Sequence, residues 1–177
     1  MKKTDLPPNV LMHSPSISDS AWIAPNATVV GDVSIESNSS VWFNSVIRGD
    51  IQSIHIGKCT NIQDGCILHV ENDIGCRIGD YVTIGHGAII HACTIESGVL
   101  IGMGAIILNG ALIKKGAIIG AGAVVKENEC VGEGELWVGL PAHFKRHVDS
   151  QYETNRDWAK KYVQLKNKYQ SNGYQSI

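Results

Sequence analysis

Three histidines stand where ordinary core residues would be expected. His86 and His91 lie in IGHGAIIHAC (84–93), a stretch otherwise small and apolar, and His69 closes NIQDGCILH (61–69). One imidazole on an apolar segment is more often a hydrogen-bonded structural residue than a ligand. Three that converge make a divalent-metal site, because neutral imidazole nitrogen suits zinc, iron and cobalt. Arg48 and Asp50, in RGD (48–50), add a charge pair expected to brace an interface and also to border the same site. Whether these side chains meet depends on the elements that carry them.

Those elements repeat. Starting at Ile17, a step of six meets Ile23, Val29, Ile35, Val41 and Ile47. The step resumes through Ile56, Ile62 and Leu68, then Ile78, Ile84 and Ile90, then runs unbroken from Ile95 to Val131 and closes on Trp137. Glycine often follows the aliphatic residue directly, and an alanine or serine often stands four places after it. A helix repeats near 3.6 and an isolated strand near 2. A step of six is a short strand plus a corner, and three such faces close a coil of about 18 residues. Nineteen aliphatic positions divided among three faces predict about six coils. The fold class expected is therefore an all-β solenoid, a parallel β-helix of hexapeptide repeats, over residues 13–142. An N-terminal segment (1–12) precedes it, and a linker, helix and tail (143–177) follow. Pro141 in WVGLPAHFKR argues against further strand pairing. Trp158, Tyr162, Leu165 and Tyr169 form one stripe of a helix over roughly 150–170, with Lys160, Lys161 and Lys166 on its wet side. The end, SNGYQSI, is expected to fray.

The rhythm slips three times: nine residues separate Ile47 from Ile56, ten separate Leu68 from Ile78, and five separate Ile90 from Ile95. Polar and ionisable residues gather at these slips, where loops leave a rigid solenoid. His69 follows Leu68 and His91 follows Ile90; their 22-residue separation, less the four added by the second slip, is one 18-residue coil. The two rings are expected to stack on one corner, a strand spacing of about 4.8 Å apart. Arg48 belongs to the same column. His86 lies on another corner, so it is expected to meet the His69–His91 pair of a neighbouring subunit. A heterologous contact of that kind closes into a homotrimer with three sites. His13, His55, His143 and His147 fall outside the arrangement.

The remaining composition narrows the class. The chain has 177 residues, 44% hydrophobic, and a net charge of −2, which leaves no nucleic-acid footprint. No run approaches the roughly 20 apolar residues of a membrane helix, and MKKTDLPPNV is a poor secretion signal. Five cysteines without a C-x-x-C pair read as free thiols in the cytoplasm.

VIRGD (46–50), NIQDGCILH, IGHGAIIHAC, IGMGA (101–105) and WVGLPA (137–142) together resemble the gamma-class carbonic anhydrase family, over most of the chain. The resemblance implies a left-handed β-helix, a homotrimer, and His69, His86 and His91 as ligands of zinc, with iron or cobalt as alternatives. It implies that Arg48 and Asp50 bridge the interface and that Gln63 bonds the metal-bound water. Asn61 and Asp64 match polar neighbours of that motif, and Tyr162 a tyrosine near the pocket. Asp64 also lies one coil below His86 and so is placed to orient its ring. The activity implied is reversible hydration of CO2 to bicarbonate by a metal-bound hydroxide. Ile51 stands where the best-characterised form has glutamate, and VENDIGCR after His69 is short, leaving Glu71 and Asp73 as substitutes for the proton shuttle. The alternatives are a thioesterase acting on a small acyl-CoA through the same metal, a hexapeptide acyltransferase with one catalytic histidine, and a silent trimeric scaffold.

Overall fold

The computed structural model describes residues 6, 10, 12–148 and 150–173. The expectations for MKKTDLPPNV and for the last four residues lie almost wholly outside that range. Within it the chain winds a left-handed parallel β-helix of about seven coils, followed by one helix, Gln151–Asn172. One face shows the stacking plainly: Trp22, Ser40, Asn61, Thr83, Leu100, Ile118 and Leu136 pair in parallel register from coil to coil. The extra coil over the expected six is completed by Leu136 and Trp137, the position on which the repeat closes.

The residues on the six-step turn inward. Ile47, Ile56, Ile62, Leu68, Ile78, Ile84, Ile90, Ile101 and Ile107 are each fully buried in one continuous core. Burying each such side chain contributes about 1.5–3 kcal/mol. Ile17, at the open end of the coil stack, is exposed instead. The corners obey a second rule. At the regular corners the third residue after the inward aliphatic adopts a left-handed backbone, as at Gly87 (φ 69°) and Gly104 (φ 67°), with Asn38, Asn44 and Asn128 taking the same role. Glycine and asparagine are the residues that tolerate this conformation best. The glycine directly after the aliphatic serves close stacking: a Cβ on Gly85 would lie 2.7 Å from the Met103 amide nitrogen of the next coil.

The slips resolve differently from one another. The first is not a loop. Val46–Ile56 is one continuous strand that turns a corner while paired to Thr28–Ile35, with the extra residues absorbed where the register shifts after Gly31. The second is a tight excursion closed by reciprocal backbone bonds between Glu71 and Ile74 (3.0 and 3.3 Å). At the third, Ala92 takes φ 46° and its amide donates to the His69 carbonyl at 2.9 Å. The stretch after Trp137 also departs from expectation. Pro141 sits in a turn, and beyond it His143–His147 pairs antiparallel with Glu135–Val138.

The helix lies over the face carrying Ser40–Val41, Asn61–Ile62 and Thr83–Ile84. Its packed stripe is not the expected one. Asn155, Ala159 and Lys166 are buried, and Tyr162 and Tyr169 pack against Trp22 and Trp42, whereas Trp158 and Leu165 are 48% and 39% exposed. The reason is polar. The corners beneath the helix present carbonyls that need donors, and Asn155 Nδ2 meets that of Gly98 at 2.8 Å. Lys166 lays its stem inward and donates to Asn167 (2.7 Å) and Gln170 (3.1 Å). Among the described residues no helix is long and apolar enough to cross a membrane.

Ile90→Ala removes a fully buried side chain and is expected to lower unfolding free energy by about 2–5 kcal/mol. Gly85→Ala forces two coils apart and is expected to cost about 1–3 kcal/mol. Urea unfolding followed by circular dichroism measures both, and an unchanged midpoint in either variant would contradict the packing described.

Candidate metal centre

His69 and His91 end equivalent strands, Ile67–His69 and Ile89–His91, and are direct register partners. Their rings face each other across one strand spacing, His69 Nδ1 to His91 Nε2 at 3.1 Å. Each ring has a second partner on its far side. His69 Nε2 meets Asp50 Oδ1 at 3.0 Å, and His91 Nδ1 meets Asn109 Oδ1 at 2.6 Å. Arg48, on the same column, pairs with the other oxygen of Asp50. Burial alone would raise the Asp50 pKa, but hydrogen bonds from Arg48 and His69 outweigh it and hold the carboxyl below its ordinary value. Burial lowers the His69 pKa, outweighing the Asp50 bond that raises it.

These contacts decide where the protons are. Asp50, ionised, only accepts, so His69 Nε2 carries a hydrogen. Asn109 Nδ2 donates to Glu71 Oε2 at 3.2 Å, which turns the amide oxygen to His91 and puts a hydrogen on His91 Nδ1. With both rings neutral, the two inner nitrogens present lone pairs to each other at 3.1 Å. Facing lone pairs repel unless a cation lies between them. Nitrogens bound about 2.0–2.1 Å from a tetrahedral metal stand roughly 3.3 Å apart, close to the observed 3.1 Å. The pair therefore fits a divalent metal such as zinc without rearrangement of the strands.

His86 occupies a different corner. Its Nδ1 is 2.8 Å from Asp64 Oδ2, one coil below, and that carboxylate likewise leaves Nε2 free. Among the described residues no three His, Cys, Asp or Glu side chains are grouped to hold an ion within one chain. The corner separation between His86 and the His69–His91 column is the reason. Beside His86, Gln63 is pinned: its Nε2 donates to Asn61 at 3.1 Å and its Oε1 accepts from the His86 amide at 3.2 Å. Asn61 is fixed in turn by Thr83 Oγ1 at 2.9 Å. Gln63, His86, Met103, Trp158 and Tyr162 line one cavity of about 410 Å³ whose remaining wall is largely aliphatic. Burial, reinforced by the Asp64 charge, raises the Tyr162 pKa, so its phenol is a neutral donor near pH 7.

The structure thus brings His69, His91, Asp50 and Arg48 to one corner, and His86, Asp64, Gln63, Asn61 and Tyr162 to another. His55 bonds Ser34 at 2.9 Å, His143 and His147 are exposed, and His13, also exposed, lines a small cavity beside Asp50 without bonding to either group. Asn109 had not been singled out by its sequence, although it follows His91 by 18 residues, the same one-coil step that linked the histidines. Of the two candidate shuttle carboxylates, Glu71 accepts from Asn109 Nδ2 and, at 3.1 Å, from the Asn72 backbone amide, and Asp73 is exposed.

The bacterial transferase hexapeptide family model, of six repeats, matches residues 14–49 and 92–127. The chain is 52% identical over 150 residues to a Methanocaldococcus jannaschii protein named Probable carbonic anhydrase, covering 84% of this chain and 94% of that one. It is 39% identical over 164 residues to mitochondrial gamma carbonic anhydrase 2 of Arabidopsis thaliana, covering 89% of this chain but 59% of that protein. This chain thus spans a little over half the length of the plant relatives it matches. Among solved structures, a hexapeptide transferase family protein from Anaplasma phagocytophilum superposes with a TM-score of 0.84 at 38% identity, covering 88% of this chain and 92% of that one.

Cys66, against the Gly85 carbonyl at 3.2 Å, is buried and its thiol is pushed up to about 11 by that burial. Thiolate is the reactive form, so iodoacetamide is expected to modify exposed Cys130 in the folded protein and to spare Cys66. Peptide mass mapping reads the outcome, and rapid labelling of Cys66 would contradict the geometry given for this corner.

Proposed function

The chain belongs to the gamma-class carbonic anhydrase family, and from that membership we propose that it is a metal-dependent enzyme interconverting CO2 and bicarbonate. Its site is shared between adjoining subunits of a homotrimer. The observation that carries this reading is the state of the three imidazoles. Each has one nitrogen bonded to a fixed oxygen acceptor and the other left free, and two of the free nitrogens face each other at 3.1 Å. His69 and His91 of one subunit with His86 of the next would hold zinc, and the same nitrogens would accept iron or cobalt. When bound, such an ion supplies a Lewis acid that makes hydroxide available from water near neutral pH.

The chain's own residues supply position. Gln63, which lines the cavity, has one amide hydrogen left after bonding Asn61 and can offer it to a substrate oxygen. Arg48, with its side chain 46% exposed, supplies positive charge for an anionic product. Tyr162 closes the cavity with a neutral hydroxyl. CO2, being apolar, partitions into an aliphatic wall that bicarbonate leaves. Hydration releases one proton for each bicarbonate formed. Glu71 is occupied by Asn109, so exposed Asp73 is the freer carboxylate to receive it.

The trimer has support in the shape of the surface. Val46, Ile67, Ile89, Ile106 and Val124 stack in register on the outer side of one face, and Ile67 is 46% exposed. That apolar ladder adjoins the His69–His91 corner and suits the aliphatic cavity wall beside His86, where Met103 and Trp158 are exposed. A second reading, hydrolysis of a small acyl thioester by the same centre, is supported by a cavity of about 410 Å³, more room than CO2 requires. The five unbridged cysteines support a reducing compartment such as the cytoplasm.

Purified protein is expected to carry one metal per chain and to hydrate CO2, with chelation abolishing activity. His86→Ala and His91→Ala are each expected to be inactive. Co-assembled trimers of the two are expected to recover roughly a quarter of the sites, the share that random assembly makes whole. Full activity in His86→Ala alone, or a monomer holding stoichiometric zinc, would overturn the shared site. Thioester hydrolysis without CO2 hydration in the same sample would favour the second reading.

A further inference from the structure

Two of the three imidazoles are backed by carboxylates, Asp50 behind His69 and Asp64 behind His86. A carboxylate accepts from either oxygen, so it dictates the tautomer of the ring it touches whichever way it turns. The partner of His91 is different. Asn109 is a primary amide, which presents oxygen on one side and NH2 on the other. Turned over, it would donate to His91 Nδ1, move the ring hydrogen to Nε2, and cover the nitrogen that faces His69. Something must hold the amide one way round.

Glu71 does this from the short excursion after His69. Its Oε2 accepts from Asn109 Nδ2 at 3.2 Å and its Oε1 accepts from the backbone N–H of Asn72 at 3.1 Å. The reciprocal Glu71–Ile74 backbone bonds close the excursion that carries it. A carboxylate cannot donate, so the amide has one allowed orientation. The residues concerned are 38 apart in sequence and meet only because the excursion folds back over the next coil.

We propose that Asn109, clamped by Glu71, is a positioning residue that fixes His91 as its Nδ1–H tautomer and keeps the Nε2 lone pair directed at His69. The clamp acts through His91 and touches neither substrate nor metal. It rests on the reading of His91 as a ligand given above, but its direct consequence is a property of the metal-free ring. It also gives the shortened excursion a task other than proton transfer: it carries the carboxylate that orients the amide.

The test uses metal-free full-length protein, labelled with 15N-histidine and studied above the histidine titration range, at about pH 8. Long-range 1H–15N correlation assigns the protonated nitrogen of each ring. His91 is expected to carry its hydrogen on Nδ1 in the native protein and on Nε2 in Asn109→Leu, with Glu71→Ala shifting it the same way. Zinc affinity, read by competition with a chelating dye, is expected to fall about 10- to 100-fold in Asn109→Leu. Combining Asn109→Asp with Glu71→Gln keeps an acceptor toward His91 and a donor behind it, and is expected to restore both tautomer and affinity. His86, backed by Asp64 on another corner, is expected to keep its tautomer throughout, which reports an intact coil. An Nε2–H His91 in the native protein, or an unchanged tautomer in Asn109→Leu, would overturn the proposal, even if affinity fell. Native protein that takes up no zinc, while its His91 tautomer follows Asn109, would overturn the metal reading and leave the clamp standing.

Discussion

Parallel stacking in register is the interaction on which the rest of this molecule depends. A residue on one strand lies about 4.8 Å from its equivalent on the next coil, and that distance is nearly constant along the solenoid. Columns of side chains follow from it. The inward columns are aliphatic and make one continuous core, while the outward columns can be written almost independently of that core. Two histidines in one outward column come to nearly the separation that ligands of a tetrahedral ion require. The backbone repeat therefore supplies the bite of the site, with no loop having to be folded to a particular shape.

The same stacking supplies the outer hydrogen-bonding shell. Asp64 lies below His86, and Asn109 above His91, each displaced by one coil. Imidazole has two nitrogens and, when neutral, one hydrogen. An acceptor on the far side of the ring thus commits the near side to a lone pair. With acceptors behind both His69 and His91, the nitrogens between them repel in the absence of a cation. The pair is thus arranged, electrostatically as well as geometrically, to accept a cation, and burial lowers the His69 pKa.

The core positions were legible because a six-residue rhythm is a property of order along the chain. So was the His69–His91 column, once the extra residues of the second slip were discounted. The helix was legible as a helix but not in its orientation. Tyr162 and Tyr169 do face the solenoid, yet Asn155 and Lys166 are buried where Trp158 and Leu165 were expected. Hydrophobicity is a poor guide there, because the coil corners beneath the helix expose carbonyls that Asn155 satisfies, while Lys166 buries its stem and bonds Asn167 and Gln170 of its own helix. The first slip looked like a loop and is a bent strand, since the residues on either side of the excess keep their pairing with Thr28–Ile35 and the excess is absorbed at one register shift.

By itself the sequence determined the coil length, the residues that face inward, the columns in which Arg48, His69 and His91 stand, and the family to which the chain belongs. Periodicity and local composition carry all of that. Tertiary structure alone decided which face of the helix is buried, that the inner nitrogens of His69 and His91 oppose each other, and which way the Asn109 amide points. Those are facts about direction rather than order. A hydrogen-bonding group acquires its role from the partner on its other side, and for Asn109 that partner, Glu71, is brought close only by folding.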